Sequence, residues 1–259
     1  MHINYLITFL FFPIISAYYN RKSINNIQTL LFSKKHKTKT DDILNSLYRP
    51  TTLNQISYVK HLNNPNVDLV LCLGPPGTGK TLFACDSAIR ELKNNNIKKI
   101  IITRPLVTVE EDLGFLPGTI NNKMDPWTRP IFDIFQEYYS ITELNNMVKN
   151  NIIEISPLAF MRGRTFKDAF IIADEMQNSS PNQMLMLATR IGYGSKMVIT
   201  GDLNQSDRTK NNGLKDFLQK FESANNINQL DKIKLIKFNN LDIQRSEIVS
   251  IIIEMYEKS

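Results

Sequence analysis

The stretch "VDLVLCLGPPGTGKT", residues 67–81, decides the fold. Its first half is an almost continuous apolar run, which is typical of a buried parallel strand. Its second half, "GPPGTGKT", fits the pattern G-x-x-x-x-G-K-[ST] and stands between that strand and a helical pattern. Glycines let backbone N–H groups wrap around a phosphate, and the N-terminus of the next helix adds a favourable dipole. The stretch therefore predicts a loop that binds the phosphates of a nucleotide.

Each position of this loop is a candidate for binding ATP. We expect Lys80 to reach the β- and γ-phosphates and Thr81 to ligate Mg²⁺. The predicted nucleotide-binding residues of the loop are Gly74, Pro75, Pro76, Gly77, Thr78, Gly79, Lys80 and Thr81.

Apolar, β-branched runs alternate with helical patterns along the rest of the chain. Strands are predicted at 67–74, 97–105, 151–156, 169–175, 196–202 and 232–238, and helices at 81–95, 129–140, 180–192 and 242–258. This alternation predicts one α/β domain over residues 41–259, with a doubly wound and mainly parallel sheet. The segment 106–150 breaks the rhythm and is predicted to be an inserted helical element.

The stretch "AFIIADEMQNSS", residues 169–180, places two carboxylates at the end of a predicted strand. Adjacent carboxylates at the edge of a core are costly unless a cation or a proton uses them. We expect Asp174 to hold hydrated Mg²⁺, directly or through water, and Glu175 to polarise the water that attacks ATP. The alternative is a surface turn after a strand.

A second strand end, "VITGDLNQ" at residues 198–205, repeats this arrangement. Gly201, Asp202 and Gln205 form a candidate sensor loop, in which Gln205 would detect the γ-phosphate. The alternative is a polar loop without a function.

Taken together, "GPPGTGKT", "IIITRP", "EDLGFLPG", "DPWTRPIFD", "SPLAFMRGRTFKDAFIIADEMQN" and "QMLMLATRIGYGSKMVITGDLNQSD" resemble the PhoH family of P-loop ATPases over about residues 48–259. The resemblance implies a RecA/P-loop NTPase type of fold, related to superfamily 1 helicase motors, with ATP and Mg²⁺ as ligands. RNA-linked activity is one of the roles proposed for the family. Some relatives carry an N-terminal nuclease domain, for which the roughly forty leader-like residues here leave no room, so no nuclease activity is expected.

The segment "TTLNQ" resembles the adenine-reading segment of helicases. The amide of Gln55 could pair with the N6 and N7 edge of adenine. The alternative is a solvated glutamine at the start of a helix.

Five arginines are candidates for contacts with phosphates. Arg104 resembles the helicase element that touches the nucleic-acid backbone. Arg245 and Arg190 are candidate arginine fingers within the chain, and Arg162 or Arg164 would serve the site of a neighbouring subunit. Each of them could instead form an ordinary surface ion pair.

Two functions from different classes fit this set of motifs. In the first, an ATPase acts on single-stranded RNA along a path that includes Arg104, Trp127, Arg129, Arg162, Arg164 and Lys167. Trp127 would stack on a base in this path, or else pack inside the inserted segment. In the second, an ATP-gated switch controls a protein partner. A helicase normally closes two motor domains across one ATP, so the single predicted domain indicates a homo-oligomer.

The charge is concentrated near the N-terminus. Residues 1–40 contain six cations and no acid, and residues 41–259 contain 25 cations and 25 acids. Residues 1–19 are signal-like and residues 20–40 are basic and transit-like. This order resembles the two-part leader of proteins sent to complex plastids, so we expect plastid import and a mature protein without a stable membrane span. A short membrane anchor or a cytoplasmic protein is the alternative.

Cys72 and Cys85 lack a metal-type spacing and are predicted to be core residues of a protein in a reducing compartment.

Overall fold

The computed structural model describes residues 46–105, 120–206, 211–224, 230–244, 248 and 255. Within these residues, six strands form one parallel sheet in the order β3-β2-β4-β5-β1-β6. The strands are β1 (Leu69–Leu73), β2 (Lys99–Thr103), β3 (Ile153–Ile155), β4 (Ala169–Ala173), β5 (Lys196–Gly201) and β6 (Ile233–Lys237). Each strand lies within a predicted range, so the predicted α/β fold with a parallel sheet is confirmed.

Six α-helices connect and cover these strands in the described part of the chain. They are α1 (Leu53–Leu62), α2 (Lys80–Lys93), α3 (Ile120–Gln136), α4 (Ile141–Lys149), α5 (Pro181–Ala188) and α6 (Gly213–Glu222). Helices α2, α3 and α5 were predicted. Helix α3 begins nine residues before its predicted start, because Pro126 and Pro130 disfavour a helix interior and made the earlier part look irregular.

Helix α6 was missed, and α4 was predicted only as part of the inserted helical element at 106–150, although each carries a sequence signal. Ser140 and Glu143 form a capping box at the start of α4, in which each side chain binds the backbone N–H of the other residue. The side chain of Asn212 accepts a hydrogen bond from Lys215 N at the start of α6. The predicted helical character of the inserted segment is confirmed for α3 and α4.

The register of the sheet brings the functional strand ends together. Leu73 of β1 pairs with Gly201 of β5, and Thr103 of β2 pairs with Ala173 of β4. The carboxyl ends of these strands therefore meet at one edge of the sheet. Cys72 and Cys85 are both fully buried and unpaired with each other, so the prediction that they are core residues is confirmed.

Several predictions fall outside the described residues. The leader at 1–40 and most of the C-terminal helix predicted at 242–258 are among them, and these stay predictions. Among the helices that the structure describes, none combines the length and the apolar character needed to span a bilayer.

Candidate functional site

The phosphate loop follows β1 and leads directly into α2. Gly74 has a φ of +144°, and a Cβ atom there would lie 2.7 Å from both the Cβ and the carbonyl oxygen of Phe238. Gly79, the N-cap of α2, is left-handed with a φ of +88°, and its Cβ would lie 2.8 Å from the ring of Phe83. Only glycine meets both the backbone conformation and the close packing at these two positions.

Lys80 lies against the loop itself. Its Nζ donates to the carbonyl oxygens of Gly74 at 2.6 Å and Pro75 at 2.8 Å. Burial lowers the pKa of Lys80, and neighbouring anionic groups including Asp202 and Glu175 oppose this effect. The structure thus places the ammonium group of Lys80 directly on the phosphate loop, where a phosphate would bind.

Thr81 and Asp174, the two predicted metal ligands, are in contact. Thr81 Oγ1 donates to Asp174 Oδ1 at 2.8 Å, and Thr200 Oγ1 donates to the same oxygen. Asp174 is 7% exposed. A hydroxyl and a carboxylate are the oxygen donors that Mg²⁺ prefers, and few protein ligands are typical because the ion keeps waters and binds substrate phosphates. The residues present therefore fit a Mg²⁺ ion beside the phosphate loop.

Glu175 follows Asp174 in a left-handed conformation, with a φ of +54°. Its Oε1 lies 3.5 Å from Arg104 Nη2, and its Oε2 accepts a hydrogen bond from Gln177 Nε2. Its side chain is 35% exposed, so the carboxylate borders solvent rather than the core. A non-glycine residue in this conformation at a strand end is a common mark of a functional site.

The predicted sensor loop forms a short 3₁₀ turn, Leu203–Gln205, at the end of β5. Asp202 caps this turn by accepting a hydrogen bond from Asn204 N at 3.0 Å. The turn, the phosphate loop and Glu175 border one open cleft. The cleft is lined by Pro76, Gly77, Gly79, Lys80, Thr81, Leu82, Glu175, Asp202 and Gln205.

Gln55 lies beneath the phosphate loop. It is the third residue of α1 and forms a capping box with Thr52, so it stands at the start of a helix, as the alternative interpretation had it. Its side chain is 2% exposed rather than solvated, and its Nε2 donates to Thr78 O at 3.1 Å. Its Oε1 accepts from the backbone N–H of Thr51 at 2.9 Å. Both ends of the amide therefore have partners within the protein, and adenine reading stays a prediction.

The segment after β6, residues 238–244, was not predicted to belong to the site. Phe238 N donates to Leu73 O at 2.7 Å, and Gln244 N donates to Gly77 O at 2.8 Å. Asp242 is 2% exposed and accepts hydrogen bonds from Thr52 Oγ1 and Asn54 Nδ2. These contacts attach the segment to both α1 and the phosphate loop. No local motif marks them, because the partners are far apart along the chain.

The candidate arginines have different environments. Arg164 binds both carboxylate oxygens of Glu154 and lies over the ring of Phe166 at 4.7 Å. Arg190 donates to Met186 O and Arg164 O near the amino end of β4. The phosphate loop lies at the opposite, carboxyl ends of the strands. The structure therefore contradicts the expectation that Arg190 is an arginine finger within the chain.

The remaining positions of the predicted RNA path are only partly described. Arg162 is exposed and makes no hydrogen bond or ion pair within the described residues. Lys167 and Arg129 are exposed. Arg245 and the side chain of Trp127 lie outside the described residues, so the roles predicted for them stay predictions.

The parallel sheet, the glycine-rich loop leading into α2, and the contact between Thr81 and Asp174 define a nucleotide-binding P-loop NTPase. The family described as "PhoH-like protein" matches residues 48–257. The chain belongs to this family, as its motifs predicted.

Curated relatives support the same assignment. A PhoH-like protein of Bacillus subtilis is 44% identical over 210 residues, covering 81% of this chain and 64% of the relative. A PhoH-like protein of Synechocystis is 39% identical over 223 residues, covering 86% of this chain and 65% of the relative. Protein PhoH of Escherichia coli is 34% identical over 198 residues, covering 75% of this chain and 54% of the relative. The match thus spans less than two thirds of the length of each of these relatives.

Proposed function

We propose that this protein is a Mg²⁺-dependent ATP hydrolase whose turnover is stimulated by single-stranded RNA. The observation that carries the hydrolase half is the contact between Thr81 Oγ1 and Asp174 Oδ1 at 2.8 Å, with Glu175 bordering the same cleft. The phosphate loop and the start of α2 supply Lys80 and Thr81, and the end of β4 supplies both Asp174 and the candidate base Glu175. These are the parts that phosphoryl transfer to water requires.

The residues of the cleft divide the reaction between them. Lys80 and the loop amides hold the phosphates. Thr81 and Asp174 would hold a Mg²⁺ ion, which would supply positive charge against the phosphates when bound. Glu175 accepts a proton from water as the water oxygen bonds to the γ-phosphorus. The bond from the γ-phosphorus to the β-γ bridging oxygen breaks, and its electron pair leaves with ADP. Gln205 is the proposed sensor of this change.

The RNA half of the proposal rests on the segments that follow β2 and β3. Arg104 lies within ion-pair distance of Glu175, so a phosphate of RNA that attracts Arg104 would change the surroundings of the proposed base. After β3, Phe160 and Arg162 are two residues apart along the chain and both are exposed, Phe160 at 56%. An exposed arginine and an exposed aromatic residue on one segment suit a nucleic-acid strand, because the cation can meet a phosphate and the ring can stack on a base.

The first experiment measures ATP turnover by the full chain with and without single-stranded RNA. We expect RNA to raise kcat, and the stimulation to decrease as salt increases, because phosphate contacts are screened. Glu175→Gln should lower turnover by about 100-fold or more, as loss of a general base does, and retain ATP binding. Glu222→Gln is the matched control, since its carboxylate pairs with Lys237 on the surface, and it should leave turnover unchanged.

Different outcomes separate the two functions. Tight ATP binding with slow turnover that RNA does not change would refute the RNA half and favour an ATP-gated switch for a protein partner. Turnover by Glu175→Gln at the wild-type rate would refute the assignment of the base.

We further propose that ATP sites form between subunits of a homo-oligomer, because the described residues supply one parallel sheet and one phosphate loop. Light scattering with ATP tests this point, and a monomer with full RNA-stimulated turnover would refute it.

A further inference from the structure

Gln177 is a buried polar residue that no motif assigned to the reaction. It lies in the 3₁₀ turn Met176–Asn178, two residues after Glu175, and is 2% exposed. A buried amide must find hydrogen-bond partners for both of its ends, so the partners that it has are informative.

The two ends of the Gln177 amide bind the two halves of the site. Its Nε2 donates to Glu175 Oε2, and its Oε1 accepts from the backbone N–H of Asp202 at 3.1 Å. One side chain therefore bridges the proposed base and the residue that begins the sensor turn. The bridge needs an amide, because one end must donate and the other must accept.

The backbone of Gln177 holds the far end of the same turn. Its carbonyl oxygen accepts from Ser206 Oγ at 2.9 Å and from Asn212 Nδ2 at 2.9 Å. Asp202 and Ser206 flank the turn that carries Gln205. Gln177 thus fixes both sides of the sensor turn as well as Glu175.

The packing leaves little room for another orientation of this amide. A Cβ atom at Gly201 would lie 2.8 Å from Gln177 Oε1. Because Gly201 has no side chain, the amide can approach the end of β5 and reach the N–H of Asp202. A tightly packed side chain that is hydrogen-bonded at both ends transmits small displacements between the groups it joins.

We propose that Gln177 is a positioning residue that fixes the carboxylate of Glu175 relative to the sensor turn of Gln205. This inference rests on the proposed hydrolysis of ATP, and it names the side chain that makes the base and the sensor act together. Loss of the bridge should leave nucleotide binding intact, because the phosphate loop and Lys80 do not contact Gln177 in the described hydrogen bonds.

The test compares Gln177→Met with wild type in the full chain. Methionine has a similar length but cannot bridge, so we expect kcat to fall at least about tenfold, because displacing a reacting group by about 1 Å can cost about 100-fold. The KM for ATP and the affinity for a fluorescent ATP analogue should stay within about twofold of wild type. Gln183→Met is the matched control, because it removes a capping hydrogen bond from Ser180 N without touching the cleft.

A double-mutant cycle with Glu175→Gln separates positioning from a structural role. If Gln177 acts through Glu175, adding Gln177→Met to Glu175→Gln should cause no further loss of single-turnover hydrolysis. If Gln177→Met does not fold, Gln177→Glu replaces it in both tests. That variant can still accept from Asp202 N–H, but it repels Glu175 instead of donating to it.

Three results would overturn the inference. These are a kcat within about twofold of wild type, a loss of kcat that is matched by an equal loss of nucleotide affinity, and additive losses in the cycle. A wild-type chain that does not hydrolyse ATP would refute the proposed function and this inference with it, and that failure is seen before any variant is made.

Discussion

Replacing Gly74 by alanine should damage the junction between the phosphate loop and the segment after β6. At a φ of +144°, an added Cβ is strained, and it would lie 2.7 Å from the Cβ and the carbonyl oxygen of Phe238. Phe238 cannot move away freely, because its N–H donates to Leu73 O at 2.7 Å and its ring packs edge-on against Tyr58 at 5.6 Å. The substitution therefore combines backbone strain with overpacking.

Each of these two effects costs about 1–3 kcal/mol, so we expect Gly74→Ala to lose about 4 kcal/mol of unfolding free energy. For a domain of this size, that corresponds to a fall in Tm of about 8–16 °C. Gly163→Ala is the matched control. Gly163 also has a positive φ, of +76°, but nothing lies within 4 Å of its Cβ position, so only about 1 kcal/mol of strain is expected.

Urea unfolding and thermal melting of the two variants measure this difference, and titration with a fluorescent ATP analogue shows whether the loop still binds. We expect Gly74→Ala to weaken nucleotide binding and Gly163→Ala to leave it unchanged. The reasoning is refuted if the two variants are equally stable, because packing against Phe238 would then contribute nothing.

Three further substitutions test other contacts. Arg90→Met should lose about 3–5 kcal/mol of unfolding free energy in urea titrations, because it leaves the buried carboxylate of Asp86 without its ion pair; a loss below about 1 kcal/mol would contradict this. Arg164→Met should lose about 1 kcal/mol at pH 7. Hydrogen bonds from Arg164 hold the pKa of Glu154 below its ordinary value. This stabilisation is therefore present above about pH 4.3 and is lost as the pH falls through the folded pKa. Melting curves from pH 7 to 3 should show the difference in Tm between Arg164→Met and wild type becoming smaller. Gln55→Met should weaken ATP and GTP binding by the same factor, because the buried amide supports the phosphate loop; a loss confined to ATP would instead indicate adenine reading.

The fold was predictable because its signals are local. Each buried parallel strand is a nearly continuous apolar run, so β1 to β6 are visible without knowledge of their neighbours. The phosphate loop and the Asp174–Glu175 pair were found for the same reason, since each motif lies within a few residues of a strand end.

The missed parts of the site depend on residues that are distant in sequence. The amide of Gln55 meets the carbonyl of Asp242, 187 residues away, and its burial follows from that contact. Gln177 looked like an ordinary polar residue after a strand until the neighbouring end of β5 placed Asp202 against it. Arg190 was misjudged because the direction of α5 carries it to the opposite edge of the sheet.

The segment 238–244 has a mechanical consequence. Because Phe238 is hydrogen-bonded to the end of β1 and Gln244 to Gly77, this stretch of chain holds the phosphate loop at its start and at its middle. A pull on the chain beyond residue 244 would therefore be transmitted to the loop through Gln244 before it reached the sheet. Tension applied there, by a partner or by a moving strand of nucleic acid, would change the affinity of the phosphate loop for its nucleotide.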